Sequence, residues 1–335
     1  TASSWVHAIT YDPSNSKVVA IYRDAGNSNY STAVVGTVSG TSISFGSPTL
    51  FVSNNADYIS TVYDSTNDKV VIAYTDYGNS SSGTAVVYGN TGFPVPSVGS
   101  PAVFESGNTQ YISATFDSTN NKVVIAYTDN GNSNYGTAVV GTVSGTSISF
   151  GTPVVFNSAS SSRISSVYDS SNQKVVISYR DEGNSSQGTA IVGTVSGTSI
   201  SFGSSVVFES GNTGETFVTY DSTNQKVVIA CRDQGNNDYG TAVVGTVSGT
   251  SISFGSPTVF ESAETDWISA VYDSTNNKVV IAYRDRGDSD YGKAIVGTVS
   301  GTSISFGSPV TFNSGSSRYI ASTFDSSNNK VVIAY

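Results

Sequence analysis

One short pattern occurs seven times along the chain: an aromatic residue and Asp, a polar turn, and then Lys-Val-Val. The Asp residues that mark the pattern are Asp12, Asp64, Asp117, Asp169, Asp221, Asp273 and Asp325. Their spacings are 52, 53, 52, 52, 52 and 52 residues. A fixed period of this length indicates that one supersecondary unit has been copied along the chain. We therefore interpret residues 1–335 as one repeat array that forms a single domain.

Each unit contains four segments with the composition of β-strands, rich in Val, Ile, Tyr, Phe and Thr. In the third copy these segments are residues 111–116, 122–128, 137–143 and 147–156. Residues 123–127 are apolar without alternation, as expected of a strand that is covered on both faces. Gly151 and Pro153 interrupt the fourth segment, which predicts an outer edge strand because proline cannot donate to a ladder.

Four antiparallel strands in a unit of about 50 residues predict an all-β fold, a β-propeller whose units are radial blades. The first two strands occur seven times and the last two occur six times. Seven blades with an incomplete last blade is therefore our main interpretation, and six blades plus a partial unit is the alternative. The sequence begins with Thr1 and contains no Met, so we expect a processed product or a piece of a larger protein.

The composition restricts the partners that the chain can have. A net charge of −10 argues against nucleic acid and against insertion into an anionic membrane. Only 12% of the residues are charged, and a Ser, Thr, Asn and Gly coat is typical of exported adhesins and virion proteins. We therefore expect an extracellular or virion-surface location. One His and one Cys, His7 and Cys231, exclude His-based triads and ordinary zinc sites.

The copies are nearly identical, so the positions at which they differ carry the most information about function. One such position lies six residues before the Asp of each unit and holds Val6, Tyr58, Tyr111, Arg163, Glu215, Trp267 and Tyr319. Residues that precede it include Asp57, Gln110, Ser162, Gly214, Asp266 and Arg318. We expect these side chains to surround one end of the central channel, at the start of the innermost strands.

Aromatic rings beside polar groups are what a sugar requires, because its apolar faces stack and its hydroxyl groups need partners. The pattern therefore predicts a glycan-binding face formed by Tyr58, Tyr111, Arg163, Trp267, Tyr319, Asp57, Gln110, Asp266 and Arg318. The alternative is sequence variation in exposed loops.

The loop that follows the second strand of the sixth unit holds three carboxylates, Asp285, Asp288 and Asp290. Oxygen ligands of this kind bind Ca²⁺, so a calcium site is one prediction for this loop. A purely structural turn is the other, since the spacing is not that of an EF-hand. No other cofactor is expected. In the second unit, residues 88–96 contain two Pro and predict an irregular outer edge that contacts another chain.

Arg23, Arg180, Arg232 and Arg284 share one repeat position, directly before the Asp of this loop. We expect each of them to pair with that neighbouring Asp. A sialidase-like glycosidase would use several Arg to hold a carboxylate, together with a Tyr–Glu nucleophile. An active site breaks repeat symmetry sharply, and no copy departs in that way. We therefore expect no catalysis.

The repeat consensus, for example residues 245–257, resembles the near-identical tandem propeller repeats of bacterial and phage surface proteins. In architecture it is similar to seven-bladed propeller lectins, whose sites lie between blades and repeat around the ring. The resemblance implies a recognition or adhesion protein that binds glycans or another surface receptor through several equivalent sites. The alternatives are a structural spacer or decoration module within a larger assembly, and a sialidase-like glycosidase.

Overall fold

The structure is a computed structural model that describes residues 5–89 and 97–335. Units one and two contain β1 (Trp5–Asp12), β2 (Lys17–Asp24), β3 (Tyr30–Ser39), β4 (Ser42–Phe45), β5 (Thr49–Val52), β6 (Ala56–Asp64), β7 (Lys69–Asp76), β8 (Ser82–Gly89) and β9 (Ser97–Val98). Units three to five are built from β10 (Ala102–Asp117), β11 (Lys122–Asp129), β12 (Tyr135–Ser144), β13 (Ser147–Phe150), β14 (Val154–Asp169), β15 (Lys174–Asp181), β16 (Gln187–Ser196), β17 (Ser199–Phe202), β18 (Val206–Asp221), β19 (Lys226–Asp233), β20 (Tyr239–Ser248) and β21 (Ser251–Phe254). Units six and seven have β22 (Thr258–Asp273), β23 (Lys278–Asp285), β24 (Tyr291–Ser300), β25 (Ser303–Phe306), β26 (Val310–Ser316), β27 (Ala321–Asp325) and β28 (Lys330–Ala334).

Consecutive strands pair in antiparallel fashion and form one sheet per unit. In the third unit β11 pairs with the inner strand β10 and with β12. The outer strand is in two pieces, because β13 and the start of β14 both pair with β12. The rest of β14 is the inner strand of the fourth unit, so a single long strand joins neighbouring units. The predicted all-β propeller with four-stranded antiparallel units is confirmed.

The outer strand breaks at the residues that interrupt its sequence. The Gly151 N–H donates to the carbonyl oxygen of Val140 at 2.9 Å. A Cβ atom at Gly151 would lie 1.9 Å from the carbonyl oxygen of Thr198 in the next unit. Glycine is therefore required at this break because neighbouring units approach each other closely there.

The Asp that marks each repeat is a buried side chain that holds the turn between the first two strands. In the third unit, Asp117 Oδ1 accepts from the N–H groups of Thr119 and Asn120, both at 3.0 Å. Its Oδ2 accepts from Asn120 Nδ2 at 2.8 Å. The same three bonds hold the turns at Asp64, Asp169, Asp273 and Asp325. The recurring pattern is thus a folding requirement of every unit.

The core lies between the sheets of neighbouring units. In the third unit Val123, Ile125 and Tyr127 pack against the second unit, whereas Val124 and Ala126 pack against the fourth. Both faces of the second strand are therefore covered, which explains why its sequence does not alternate. Cys231 occupies the Tyr position of this core in the fifth unit, and burial raises the pKa of its thiol.

The seventh unit packs beside the first. The Ser327 N–H donates to Tyr11 Oη at 3.2 Å, and Ser327 Oγ lies 3.0 Å from Ser16 Oγ. Val332 packs against Tyr11 and Val18. Because these contacts join the last unit to the first, they favour the seven-bladed interpretation over six blades plus a partial unit, although the number of blades stays a prediction.

Two further sequence features bear on this fold. Residues 90–96, which make up most of the predicted irregular edge in the second unit, lie outside the described residues. Within the part of the chain that the structure does describe, no helix combines the length and the hydropathy needed to span a membrane.

Candidate functional site

The inner strands contain a β-bulge at the position where the copies differ. In β10 the pairing shifts between Gln110–Thr128 and Ser113–Ala126, so that Tyr111 and Ile112 together face a single residue of β11. Equivalent shifts occur in β1, β6, β14, β18 and β22. A bulge bends its strand and redirects a side chain, and it here directs the variable residue toward the central channel.

The residue at this variable repeat position has a left-handed backbone in five of the units. The φ angles are 48° at Tyr58, 48° at Tyr111, 54° at Arg163, 51° at Trp267 and 55° at Tyr319. This conformation costs a residue with a Cβ atom about 1–2 kcal/mol. Such a cost persists only when the surrounding structure imposes it, and residues of this kind cluster at functional sites.

The redirected side chains line one cavity of about 400 Å³ at the end of the channel. We call the side chains that give it its aromatic and charged character the belt: His7, Asp57, Tyr58, Tyr111, Arg163, Glu215, Trp267 and Tyr319. All seven units contribute to this cavity, so its wall is complete only when the units form a ring.

The aromatic members of the belt form two pairs. The ring centroids of Tyr58 and Tyr111 are 5.1 Å apart with an interplanar angle of 60°. Those of Trp267 and Tyr319 are 4.3 Å apart with an angle of 46°. The first pair belongs to units two and three and the second to units six and seven, so the two pairs stand on opposite sides of the ring. A flat ligand in the cavity would lie between two aromatic walls.

Between these walls, on one side, lie Arg163 and Glu215. The Arg163 guanidinium carbon is 5.2 Å from the ring centroid of Tyr111, within the range of a cation–π contact. Glu215 Oε2 accepts a hydrogen bond from the N–H of Ile268 in the next unit at 3.1 Å. Burial raises the pKa of Glu215, and the charge of Arg163 acts in the opposite direction. This side of the cavity therefore offers a cation and a carboxyl group close together.

On the other side, between units one and two, lie His7 and Asp57. His7 Nδ1 is 3.6 Å from Asp57 Oδ1, and the imidazole centroid is 6.1 Å from that of Tyr319. Burial lowers the pKa of His7, while the charge of Asp57 acts in the opposite direction. Burial therefore favours the neutral imidazole, and its Nε2 is buried without a hydrogen-bond partner.

An isoleucine layer closes the bottom of the cavity. Ile59, Ile112, Ile164 and Ile320 line both this cavity and a second one of about 230 Å³ deeper in the channel. These isoleucines make most of the floor of the belt cavity apolar, and His7 and Thr216 occupy the same repeat position in the first and fifth units.

Below the isoleucine layer, serine side chains connect the inner strands of neighbouring units. The Ser166 N–H donates to Ser113 Oγ at 2.9 Å, and the Val218 N–H donates to Ser165 Oγ at 3.1 Å. The Ala114 and Ser322 N–H groups make equivalent bonds to the serine of the preceding unit. These bonds hold each inner strand against the next and so position the belt.

The structure brings together Tyr58, Tyr111, Arg163, Trp267, Tyr319 and Asp57, but not the other three predicted residues. Gln110 is paired in the sheet and Arg318 is exposed, and neither lines the cavity. Asp266 is buried in an ion pair with Arg284, with oxygen–nitrogen distances of 2.6 and 2.5 Å. The belt residues line one shared cavity instead of a separate pocket in each unit, and the several equivalent sites that we expected stay a prediction.

His7 is a belt residue that sequence reasoning missed. It stands at a repeat position that holds isoleucine in five other units and Thr216 in the fifth. The same comparison between copies that identified Tyr58 and Trp267 would have identified it.

The predicted pairing of the repeat Arg with the next residue is wrong for Arg232 and Arg284. Arg284 pairs with Asp266 instead of Asp285. Arg232 contacts Asp238 at 2.8 Å and Glu264 at 3.2 Å, instead of Asp233. Consecutive side chains of a strand point to opposite faces, so an arginine and the aspartate that follows it cannot meet. These arginines stabilise the loops around the belt.

The loop that we predicted to bind calcium has a lysine beside its carboxylates. Lys293 Nζ lies 2.7 Å from Asp285 Oδ2 and 2.8 Å from Asp288 Oδ2, so one ammonium group forms ion pairs with both carboxylates. Asp290 faces Arg284 and Arg286, each at 3.9 Å. Within residues 5–89 and 97–335, no group of three or more acidic, His or Cys side chains is arranged to hold a metal ion.

Because the backbone at the bulge is strained, we predict that glycine is more stable than alanine at this position, the reverse of the usual order in a strand. We expect Arg163→Gly to be more stable than Arg163→Ala by about 1 kcal/mol, because both variants lose the guanidinium but only glycine relieves the left-handed strain. At an ordinary strand position glycine is the less stable of the two. Urea denaturation of both variants measures the difference, and an alanine variant of equal or greater stability would show that the position is unstrained.

The environment of Glu215 predicts a pH-dependent stability. Its raised pKa means that the folded chain binds this proton more tightly than the unfolded chain. The protonated Glu215 therefore contributes its full stabilisation of the folded chain below pH 4.5, the ordinary pKa of glutamate. This contribution is lost as the pH rises through the pKa of Glu215 in the folded chain. We expect Glu215→Gln to gain stability relative to the unaltered chain between about pH 4 and pH 7. Parallel urea midpoints over this range would contradict the assignment.

Comparison with known proteins supports the fold. The sequence matches no family model and no curated protein. Among solved structures, the BP39L lectin from Burkholderia pseudomallei superimposes with a TM-score of 0.70 and 8% identity, over 99% of this chain and 95% of that one. The SapL1 lectin in complex with alpha methyl fucoside superimposes with a TM-score of 0.54 and 11% identity, over 93% of this chain and 96% of that one. A hypothetical selenium-binding protein from Sulfolobus tokodaii superimposes with a TM-score of 0.62 and 6% identity, over 92% of this chain and 81% of that one.

At these identities the likeness shows the fold alone. The neighbours include propeller lectins, as the resemblance implied, whereas the relation to bacterial and phage tandem repeats stays a prediction.

Proposed function

We propose that this protein is a non-catalytic carbohydrate-binding β-propeller that holds one glycan in its central cavity. The observation that carries the proposal is the convergence of four aromatic side chains, Arg163 and three titratable side chains on a single cavity. Strained backbone at five of these positions supports it, because the fold maintains this arrangement at a cost. Structural neighbours that are lectins support the same class of ligand.

The chemistry of the belt fits a sugar. Opposed aromatic walls, Tyr58 with Tyr111 and Trp267 with Tyr319, can stack on the apolar faces of a pyranose ring. Arg163 supplies hydrogen-bond donors and Asp57 supplies acceptors for the hydroxyl groups. A cavity of about 400 Å³ lies within the range of small-molecule sites. The cavity therefore suits a terminal sugar or a short oligosaccharide.

The place of action is part of this proposal. A polar surface with few charges supports a secreted or virion-surface recognition protein that binds glycans of a cell surface. In that setting one central site per chain would act through the number of chains in a larger assembly, because linked copies gain avidity without new contacts.

A glycan-array screen of the chain, followed by calorimetric titration of the strongest hit, tests the proposal. We expect a small set of related glycans and a stoichiometry close to one per chain, since the belt surrounds a single cavity. A blank array with the fold intact by circular dichroism would favour the structural spacer or decoration module. Release of reducing ends from a bound oligosaccharide would favour the sialidase-like glycosidase.

A further inference from the structure

Arg163 is a belt residue whose positive charge has no ion-pair partner among the described residues. Arg232 and Arg284, in the next two units, are both held in ion pairs with carboxylates. Arg163 instead lies exposed in the cavity, with its guanidinium carbon 5.2 Å from the ring centroid of Tyr111. A contact with an aromatic ring leaves the N–H groups of a guanidinium available. Arg163 therefore offers hydrogen-bond donors to a ligand.

The carboxyl groups that the charge of Arg163 reaches, those of Glu182 and Glu215, are engaged by other donors. Both oxygens of Glu182 accept hydrogen bonds from serine hydroxyl groups, each at 2.7 Å. Glu215 Oε2 accepts from the N–H of Ile268, and burial favours the neutral form of this carboxyl group. Neither carboxyl group forms an ion pair with Arg163.

Arg163 and Glu215 occupy the same repeat position in neighbouring units, and opposite charges at such positions attract each other. The structure nevertheless turns the two side chains in opposite directions around the ring. Arg163 contacts Tyr111 of the preceding unit, whereas Glu215 bonds to Ile268 of the following unit. Both side chains line the belt cavity, so the space between them belongs to it. This arrangement leaves a position for a ligand group next to the guanidinium.

The chemistry of a guanidinium selects the ligand group that fits this position. Its planar fork of N–H donors matches a carboxylate, which it binds through two parallel, charge-assisted hydrogen bonds. Phosphate offers a similar geometry with more negative charge, and a polyanion carries many charges. The chain's net charge of −10 opposes both of them at long range. A single carboxylate, bound at short range inside the cavity, is therefore the group that the site favours.

We propose that the glycan in the belt cavity is an acidic sugar, with a carboxylate attached to its pyranose ring as in a uronic acid, and that Arg163 binds this carboxylate. This inference rests on the proposed carbohydrate binding and adds the class of sugar. Because the carboxylate is attached directly to the ring, its contact with Arg163 places the sugar beside the wall of Tyr58 and Tyr111. The aromatic walls would then hold any pyranose, and Arg163 would distinguish acidic sugars from neutral ones.

Three matched pairs of methyl glycosides test the proposal: glucuronic acid with glucose, galacturonic acid with galactose, and mannuronic acid with mannose. The members of a pair differ in one group, a carboxylate in place of a hydroxymethyl group. The chain contains two Trp, so the indole N–H signal of Trp267, assigned with Trp267→Phe, reports binding in the belt by NMR. We expect the acid of at least one pair to bind about tenfold more tightly than its neutral partner.

Two variants assign this preference to a residue. In Arg163→Gln we expect the affinity for the acid to fall about tenfold, to that of the neutral sugar, which should bind as before. Glutamine tolerates the left-handed backbone of this position, since Gln173 and Gln225 have φ angles of 56° and 55°. The matched control is Arg318→Gln, which removes an exposed arginine that does not line the cavity and should change neither affinity. An Arg163→Gln variant that kept the preference for the acid would overturn the proposal.

The glycan array separates a failure of this inference from a failure of the proposed function. Hits that carry no carboxylate, or equal affinities within all three pairs, would contradict the acidic sugar and leave carbohydrate binding intact. Hits that carry a carboxylate, vanish in Arg163→Gln and persist in Arg318→Gln would support it, even where the monosaccharides bind too weakly to titrate. A blank array, with no response of the Trp267 signal to any sugar, would overturn both.

Discussion

Replacement of Trp267 by alanine is expected to reduce the affinity for the bound glycan by roughly a hundredfold, since truncation of a central aromatic anchor costs about 2–4 kcal/mol. Trp267 forms one aromatic wall together with Tyr319, at a centroid distance of 4.3 Å. The substitution removes its own stacking surface and also the neighbour that holds the Tyr319 ring in place. Calorimetric titration with the strongest array ligand measures the effect.

The matched control is Tyr135→Ala. Tyr135 is a partly buried aromatic residue at the start of β12 that does not line the cavity. We expect this variant to bind the glycan as the unaltered chain does. A loss of the same size in both variants would mean that the substitutions act through the fold. If Trp267→Ala bound the glycan with full affinity, the belt would not be the binding site.

Replacement of Asp169 by alanine is expected to destabilise the fold by about 3 kcal/mol or more, because it leaves buried donors without acceptors. Asp169 is fully buried and accepts from the Ser171 N–H, the Asn172 N–H and Asn172 Nδ2. Alanine removes all three bonds from a turn that the inner strand of the fourth unit depends on. The midpoint of urea denaturation measures the loss.

Two control variants distinguish the loss of the Asp169 hydrogen bonds from a general effect of substitution in this turn. Asp169→Asn keeps a carbonyl oxygen for the two backbone donors and loses only the acceptor for the Asn172 amide, so we expect a smaller loss. Ser170→Ala changes an exposed residue of the same turn and should have almost no effect. If Asp169→Ala were as stable as Ser170→Ala, the aspartate would not hold the turn.

The fold could be predicted from the sequence because its determinants are local and repeated. The 52-residue period, the uninterrupted apolar run at residues 123–127 and the Asp turns each describe one unit. The belt position was predicted for a different reason: Tyr58, Tyr111 and Trp267 differ among copies that are otherwise alike.

What the sequence did not show depends on contacts between distant parts of the chain. His7 meets Tyr319 because the first and seventh units are neighbours. Arg284 reaches Asp266 across two paired strands, beside a bulge that shifts their register. The left-handed backbone at Tyr111 and Trp267 has no local signal, since these are not the residue types that favour it. Register and ring closure, not composition, determine which side chains face the cavity.

The bulge separates what a unit needs in order to fold from what it contributes to the ligand. Tyr, Arg and Trp occupy the same left-handed backbone in five units, so in these units the scaffold imposes one conformation on three different kinds of side chain. Each of these units therefore supplies one exchangeable side chain to the shared cavity. The choice of that side chain is independent of the residues that build the unit. Unequal recombination between nearly identical units would rearrange these side chains around the cavity. The ligand specificity would then change in a single step, while the scaffold stays the same.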